Sequence, residues 1–303
     1  GLSRLREGLA GKAGRLKGGP RRSVGAPASF GRGASRENRP VDAVAYAAFT
    51  QALAERLGAD PRVVGLVALG SMSGEGPAPD EFSDHDFFVV TATGLPELFR
   101  SDLSWLPGAE SAVLVHRETE HGLKVVLPDG HLLEFAVFDR DELLLARANR
   151  HAVLLDRGGV AERMADVAAK PALAHESRWL CGQLLGNLLV GGGRAARGEL
   201  LSARLFVAGH AAGHLLRLLA RHVPPEAEAA LDDLDPFRRF ERTWPRLGAR
   251  VNAALSRPPL EAALALLDLA GSELSGRVPE WPGRAAAVVR ERLSRAGVGG
   301  GPG

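Results

Sequence analysis

Apolar and polar positions change rhythm along this chain, and the change divides it. From Val41 to Leu57, apolar residues recur at helical spacing behind Pro40, with Gly58 as the stop. Residues 62–69 form a short, nearly unbroken apolar run, which predicts a buried strand. A second run over 84–91 predicts another, and the loop GSMSGEGPAPDEFSDHD joins the two. Leu95 to Trp105 reads as a helix broken at Pro107, and Ala112 to His116 as a strand. Lys124–Leu127 and His131–Phe138 read as hairpin arms around the turn Pro128-Asp129-Gly130. Asp141–Ala148 suits a short helix, and 151–159 a last strand and turn.

From about residue 172 the pattern is helical only. Arg178–Val190 is apolar at helical spacing, and Gly191-Gly192-Gly193 is expected to interrupt it. Arg197–Leu219 is a long amphipathic stretch ended by Pro224 and Pro225. Further helices are predicted near 226–232, 235–255, 259–274 and 283–295, joined by short connections that favour antiparallel neighbours. The expected fold class is α/β: an N-terminal mixed sheet with helices on one face, followed by an all-α helical bundle. The expected divisions are a disordered arm over 1–40, a sheet domain over 41–160, a helical domain over 172–296 and a flexible tail over 297–303.

Charge refines this picture. The sequence has 303 residues and a formal net charge of +2. Residues 1–40 carry ten Lys or Arg against two Glu, so the remainder holds 28 basic and 34 acidic side chains. A basic arm therefore precedes a mildly acidic body. Such an arm suits contact with RNA or lipid, or a passive tail; the acidic body argues against nucleic acid as its partner. One cysteine, Cys181, excludes an internal disulfide framework. Without a membrane-length apolar run or an ordinary signal core, a cytoplasmic protein with no membrane partner is expected.

The candidate chemistry centres on Asp84 and Asp86. Side chains two apart on a strand project from the same face. Two carboxylates so placed repel each other unless a cation lies between them. Gly70-Ser71, at the end of the preceding strand, supplies backbone N–H groups suited to a phosphate. A third acid, Glu134, is the one carboxylate in the apolar run Leu133–Phe138. It is either an edge-strand residue facing water or a buried group that needs a partner.

Gly70, Ser71, Asp84, Asp86 and Glu134 together resemble the polymerase-beta-type nucleotidyltransferase superfamily. The long loop with Asp80-Glu81-Phe82-Ser83 resembles its antibiotic-modifying branch, the aminoglycoside and lincosamide nucleotidyltransferases, as does the Leu-x-Asp-x-x-Gly of 154–159. The resemblance implies that residues 41–160 form the catalytic domain. It implies two Mg2+ ions held by Asp84, Asp86 and Glu134, ATP as co-substrate, and nucleotide contacts from Gly70, Ser71 and Ser83. The implied partner is a small-molecule hydroxyl acceptor, with transfer of a nucleoside monophosphate from the nucleotide triphosphate. Arg197-Gly198-Glu199 is similar to a segment of the family's helical domain, which makes Glu199 the candidate general base. Its plain alternative is an exposed acid at a helix N-terminus. An RNA- or protein-modifying enzyme and a non-catalytic nucleotide-binding relative stay open. The resemblance leaves the oligomeric state undetermined.

Other groups carry a second meaning. Asp232, Asp233 and Asp235 either start a helix or meet a cationic ligand. His210 and His214 have metal-ligand spacing but lack the glutamate of the zincin pattern, because Ala211 follows the first histidine. His85 is expected on the strand face opposite the acids. A P-loop, a dinucleotide fingerprint and a Gly-x-Ser-x-Gly elbow are all absent.

Overall fold

The computed structural model describes residues 43–74, 78–80, 82–148, 150–170, 175–228, 231 and 235–298. The basic arm, Glu75, Gly76, Glu81, Asp232, Asp233 and the last five residues lie outside them. The chain divides into two compact units, with the boundary between Lys170 and Pro171.

The first unit is built on a six-stranded sheet in the order β3-β4-β5-β2-β1-β6. The strands are β1 (Val63–Leu69), β2 (His85–Thr91), β3 (Leu114–Arg117), β4 (Gly122–Val126), β5 (Leu132–Phe138) and β6 (His151–Asp156). β2 pairs parallel with β5, and every other neighbouring pair is antiparallel. All seven residues of β2 are buried, as befits a central strand whose sequence is apolar on both faces.

Helices were expected on one face of this sheet, but both faces are covered. Leu66, Phe87, Val89, Phe135 and Val137 pack with Leu53 and Leu57 of α1 (Ala43–Ala59). Val67, Phe88, Val90 and Phe138 pack on the other side with Leu143 and with Val160, Met164 and Val167 of α3 (Val160–Ala168). α3 lies beyond the expected end of the domain at 160. Its start is fixed by Asp156, whose carboxylate accepts the N–H groups of Val160 at 2.9 Å and Ala161 at 3.0 Å.

Two predicted helices are shorter than expected. Only Pro96–Ser101 is helical (α2), because the Asp102 carboxylate then takes the Ser104 N–H and turns the chain. The stretch expected as a helix at 141–148 is a 3-10 turn over Glu142–Leu145. Asp139 holds it, accepting the N–H groups of Asp141 and Glu142 at 2.9 Å each.

The regular elements described in the second unit are all helices. α4 (Ser177–Ala196) runs straight through the three glycines expected to break it. Two of them are packing residues: a Cβ on Gly191 would stand 2.6 Å from a Val207 methyl, and one on Gly192 would stand 2.1 Å from a Leu293 methyl. Close approach of neighbouring helices overrides the weak helix propensity of glycine. The amphipathic stretch forms α5 (Leu200–Arg204), a π-helical segment Leu205–Ala211, and α6 (Ala212–His222). The Arg197-Gly198-Glu199 end of it is a turn, with Gly198 at φ +77°. Then come α7 (Phe240–Thr243), α8 (Pro245–Leu255), α9 (Pro259–Leu274) and α10 (Gly283–Val298). Residues 226–228 of the helix expected at 226–232 are not helical, and 235–239 precede α7. Cys181, Phe240 and Trp244 are core residues. Among the described residues, no helix is long and apolar enough to cross a membrane.

Candidate metal centre

Asp84, Asp86 and Glu134 meet. One carboxylate oxygen from each lies within 4.8 Å of the other two. The parallel pairing explains the meeting, because Asp86 is directly opposite Glu134 in the β2/β5 register. Asp84 stands just before β2, two residues from Asp86. Asp86 is 7% exposed and Glu134 5% exposed, so the edge-strand alternative for Glu134 does not hold. This is the one group of at least three possible ligands among the described residues. His210 and His214 do not belong to it; their rings face Phe206 and Trp179.

The donor set suits a hard divalent cation. Three carboxylates offer oxygen ligands only, the preference of Mg2+ and Mn2+ rather than of thiolate- or imidazole-seeking metals. Like charges this close, two of them largely out of water, also call for positive charge. Part of it comes from a side chain the sequence reading passed over. Lys124 lies opposite Glu134 in the β4/β5 register. Its ammonium is 2.7 Å from Glu134 Oε1 and 3.4 Å from Glu118 Oε2. The hydrogen bond to Glu134 raises the lysine pKa above its ordinary value, so the group stays charged.

The Gly-Ser turn adjoins the acids. Gly70 opens a 3-10 turn, Gly70–Ser73, at φ +53°, in the left-handed region that favours glycine. A Cβ there would lie 3.6 Å from Asp86 Oδ2. Ser71 Oγ is 3.2 Å from the Tyr46 hydroxyl, which donates to the Asp84 carbonyl oxygen at 2.9 Å. Tyr46, another residue the sequence reading missed, thereby ties α1 to both the serine turn and the start of β2. Burial, with added repulsion from Asp84 and Asp86, pushes its phenol up to about 12 despite the Ser71 hydrogen bond.

His85 does point to the opposite face. It is fully buried, stacked on Tyr46 at 3.7 Å between ring centres. Its Nδ1 is 2.7 Å from His131 Nε2, and its Nε2 is 2.9 Å from Thr50 Oγ1. Burial first, then the neighbouring His131, holds its pKa down at about 3, so the ring is neutral.

Ser83 is engaged in a local turn. Its hydroxyl donates to Asp80 Oδ1 at 3.1 Å and accepts the Asp80 N–H at 2.9 Å. In the second unit, Glu199 stands at the N-terminus of α5 without a side-chain cap bond, an ion-paired acid 2.9 Å from Arg197 and 3.9 Å from Arg194. Arg197 draws its carboxyl below the usual glutamate range. Asp235 accepts the Phe237 N–H at 2.9 Å.

No protein-family model matches the sequence, and no curated protein matches it. Among solved structures, the chain aligns with an aminoglycoside 6-adenyltransferase from Bacillus subtilis. The identity is 15% over 81% of this chain and 90% of the other, at a TM-score of 0.28. At that level of likeness, the function of the site stands on its own geometry.

Proposed function

We propose that the first unit is a nucleotidyltransferase that moves a nucleoside monophosphate from ATP or another nucleotide triphosphate to a hydroxyl of a small molecule. The observation that carries this reading is the triad of carboxylate oxygens within 4.8 Å beside the Gly70-Ser71 turn. Asp84, Asp86 and Glu134 would hold Mg2+, two ions in the full reading. Bound there, the metal supplies charge neutralisation and a more acidic acceptor hydroxyl. Gly70 and Ser71 would meet phosphate oxygens through backbone N–H groups and the Ser71 hydroxyl. Ser83 would join them after leaving Asp80. The acceptor oxygen bonds to the α-phosphorus as the bond to the β-phosphate oxygen breaks, and pyrophosphate leaves. The hydroxyl proton passes to a base; Glu199, the candidate that the resemblance offers, belongs to the second unit. Its pairing with Arg197 weakens it as a base, so the role requires that guanidinium to let go.

Aminoglycosides and lincosamides are the acceptor classes to try first, and the acidic body suits the cationic members. The test is incubation of the whole chain with labelled nucleotide triphosphates, Mg2+ and a panel of both classes. Label should pass to an acceptor, and the double variant Asp84→Ala/Asp86→Ala should lose at least about 100-fold in rate. Undiminished transfer by that variant would remove the site. One alternative has a specific observation behind it. The Lys124 ammonium on Glu134 suits a protein that binds nucleotide without turnover, which calorimetry with ATP and Mg2+ would reveal as binding without product.

A further inference from the structure

Lys124 is a cation within salt-bridge distance of Glu134 of the acid triad, and it stands between two carboxylates. Glu134 Oε1 is its nearer partner at 2.7 Å, and Glu118 Oε2 its farther one at 3.4 Å. Glu118 sits just past β3, where its N–H donates to the Gly122 carbonyl at 3.0 Å, so this second partner is anchored to the start of β4. The side chain of Lys124 is 24% exposed and that of Glu134 only 6% exposed. The lysine thus reaches water while the acid it neutralises does not. A lysine ammonium is a compact, strongly hydrated point charge on a flexible stem, able to change partners without a fixed fork geometry.

An ammonium and a divalent cation compete for Glu134. We infer that Lys124 is an exchangeable counter-cation: it neutralises the third carboxylate while no divalent cation is bound, and passes to Glu118 when one binds. This rests on the metal reading of the triad and adds to it the residue that sets metal affinity. Glu118 keeps the displaced ammonium paired, so the exchange leaves no uncompensated charge beside the sheet. The same contact limits repulsion among Asp84, Asp86 and Glu134 in the metal-free protein.

The experiment is Mn2+ binding to the full chain by calorimetry, with melting temperatures recorded with and without Mn2+. Lys124→Met should bind Mn2+ about tenfold more tightly, because one competing positive charge is gone. It should melt lower than wild type without metal and gain more from Mn2+. Glu118→Gln should act in the opposite sense, binding Mn2+ several-fold more weakly because the displaced ammonium loses its second partner. It keeps the inference testable if Lys124→Met does not fold. Wild-type Mn2+ binding that Asp86→Asn abolishes, but that Lys124→Met and Glu118→Gln leave unchanged, would overturn the exchange and leave the metal centre standing. No Mn2+ binding by wild type or by Lys124→Met would overturn both.

Discussion

The two units fill their interiors differently. Among the described residues, His85, Asp86, Thr91, Arg100, His131 and Glu134 are buried polar side chains of the first unit, while the second contributes only Thr243. The helical core is mostly leucine and alanine, many from α4, α6 and α9, with glycines at the tightest approaches. Burying polar groups lowers stability unless each finds a partner. The first unit nevertheless places His85, Asp86, His131 and Glu134 around the starts of β2 and β5, and Thr91 and Arg100 at the ends of those strands. The acids gathered at those strand starts point to a task other than packing.

That contrast can be broken by substitution. The largest effect should come from Leu266→Ala in the apolar core, where Leu266 is fully buried. A loss of roughly 2–5 kcal/mol is expected in urea unfolding followed by circular dichroism. A loss well under that range would mean the helical interior is less tightly packed than its glycine contacts imply. Next is Arg100→Met in the first unit. Arg100 donates to the Val137 carbonyl at 2.6 Å and to Glu142 at 2.6 Å, with its side chain 5% exposed. Removing it strands those acceptors, and about 3 kcal/mol should be lost. A neutral outcome would show that this buried cation, unlike the acid triad, could be exchanged for an apolar group.

The smallest is Asp156→Ala, which removes the cap of α3 and should lower stability by about 1 kcal/mol. Asp156 has its pKa lowered by the Ala161 and Val160 N–H groups. The folded protein therefore binds this proton less readily than the unfolded chain. The stabilisation is complete above the unfolded pKa near 3.8 and disappears as pH falls through the lower folded value. Wild type and Asp156→Ala should then converge in stability in acid; a gap that persists there would place the cap's contribution outside the carboxylate charge.

Much of this was readable from residues. β1, β2 and β5 were, because strands buried on both faces leave unbroken apolar runs. The triad was readable because acids are so costly in such runs that their appearance is itself a signal. α3 carried its own stripe, Val160, Met164 and Val167, with Asp156 as a cap upstream, and should have been read as a helix. Lys124 was legible too: a hairpin turning at 128–130 places 124 opposite 134, and the register does so. Other features were out of reach. Whether three glycines break a helix or let its neighbours close in depends on what packs there, and only the fold supplies Val207 and Leu293. Tyr46 reaches Ser71 across 25 residues of sequence, and no local pattern announces it.

The π-helical segment Leu205–Ala211 leaves a mark of a different kind. A wide turn holds one residue more than the regular spiral needs, so the side chains beyond it are rotated relative to those before it. Shortening the chain by one residue there would restore the regular spiral and swing α6 out of phase with α5. Leu215, Leu218 and Leu219 would then turn away from their neighbours, so this surplus residue keeps α6 in alignment with the core.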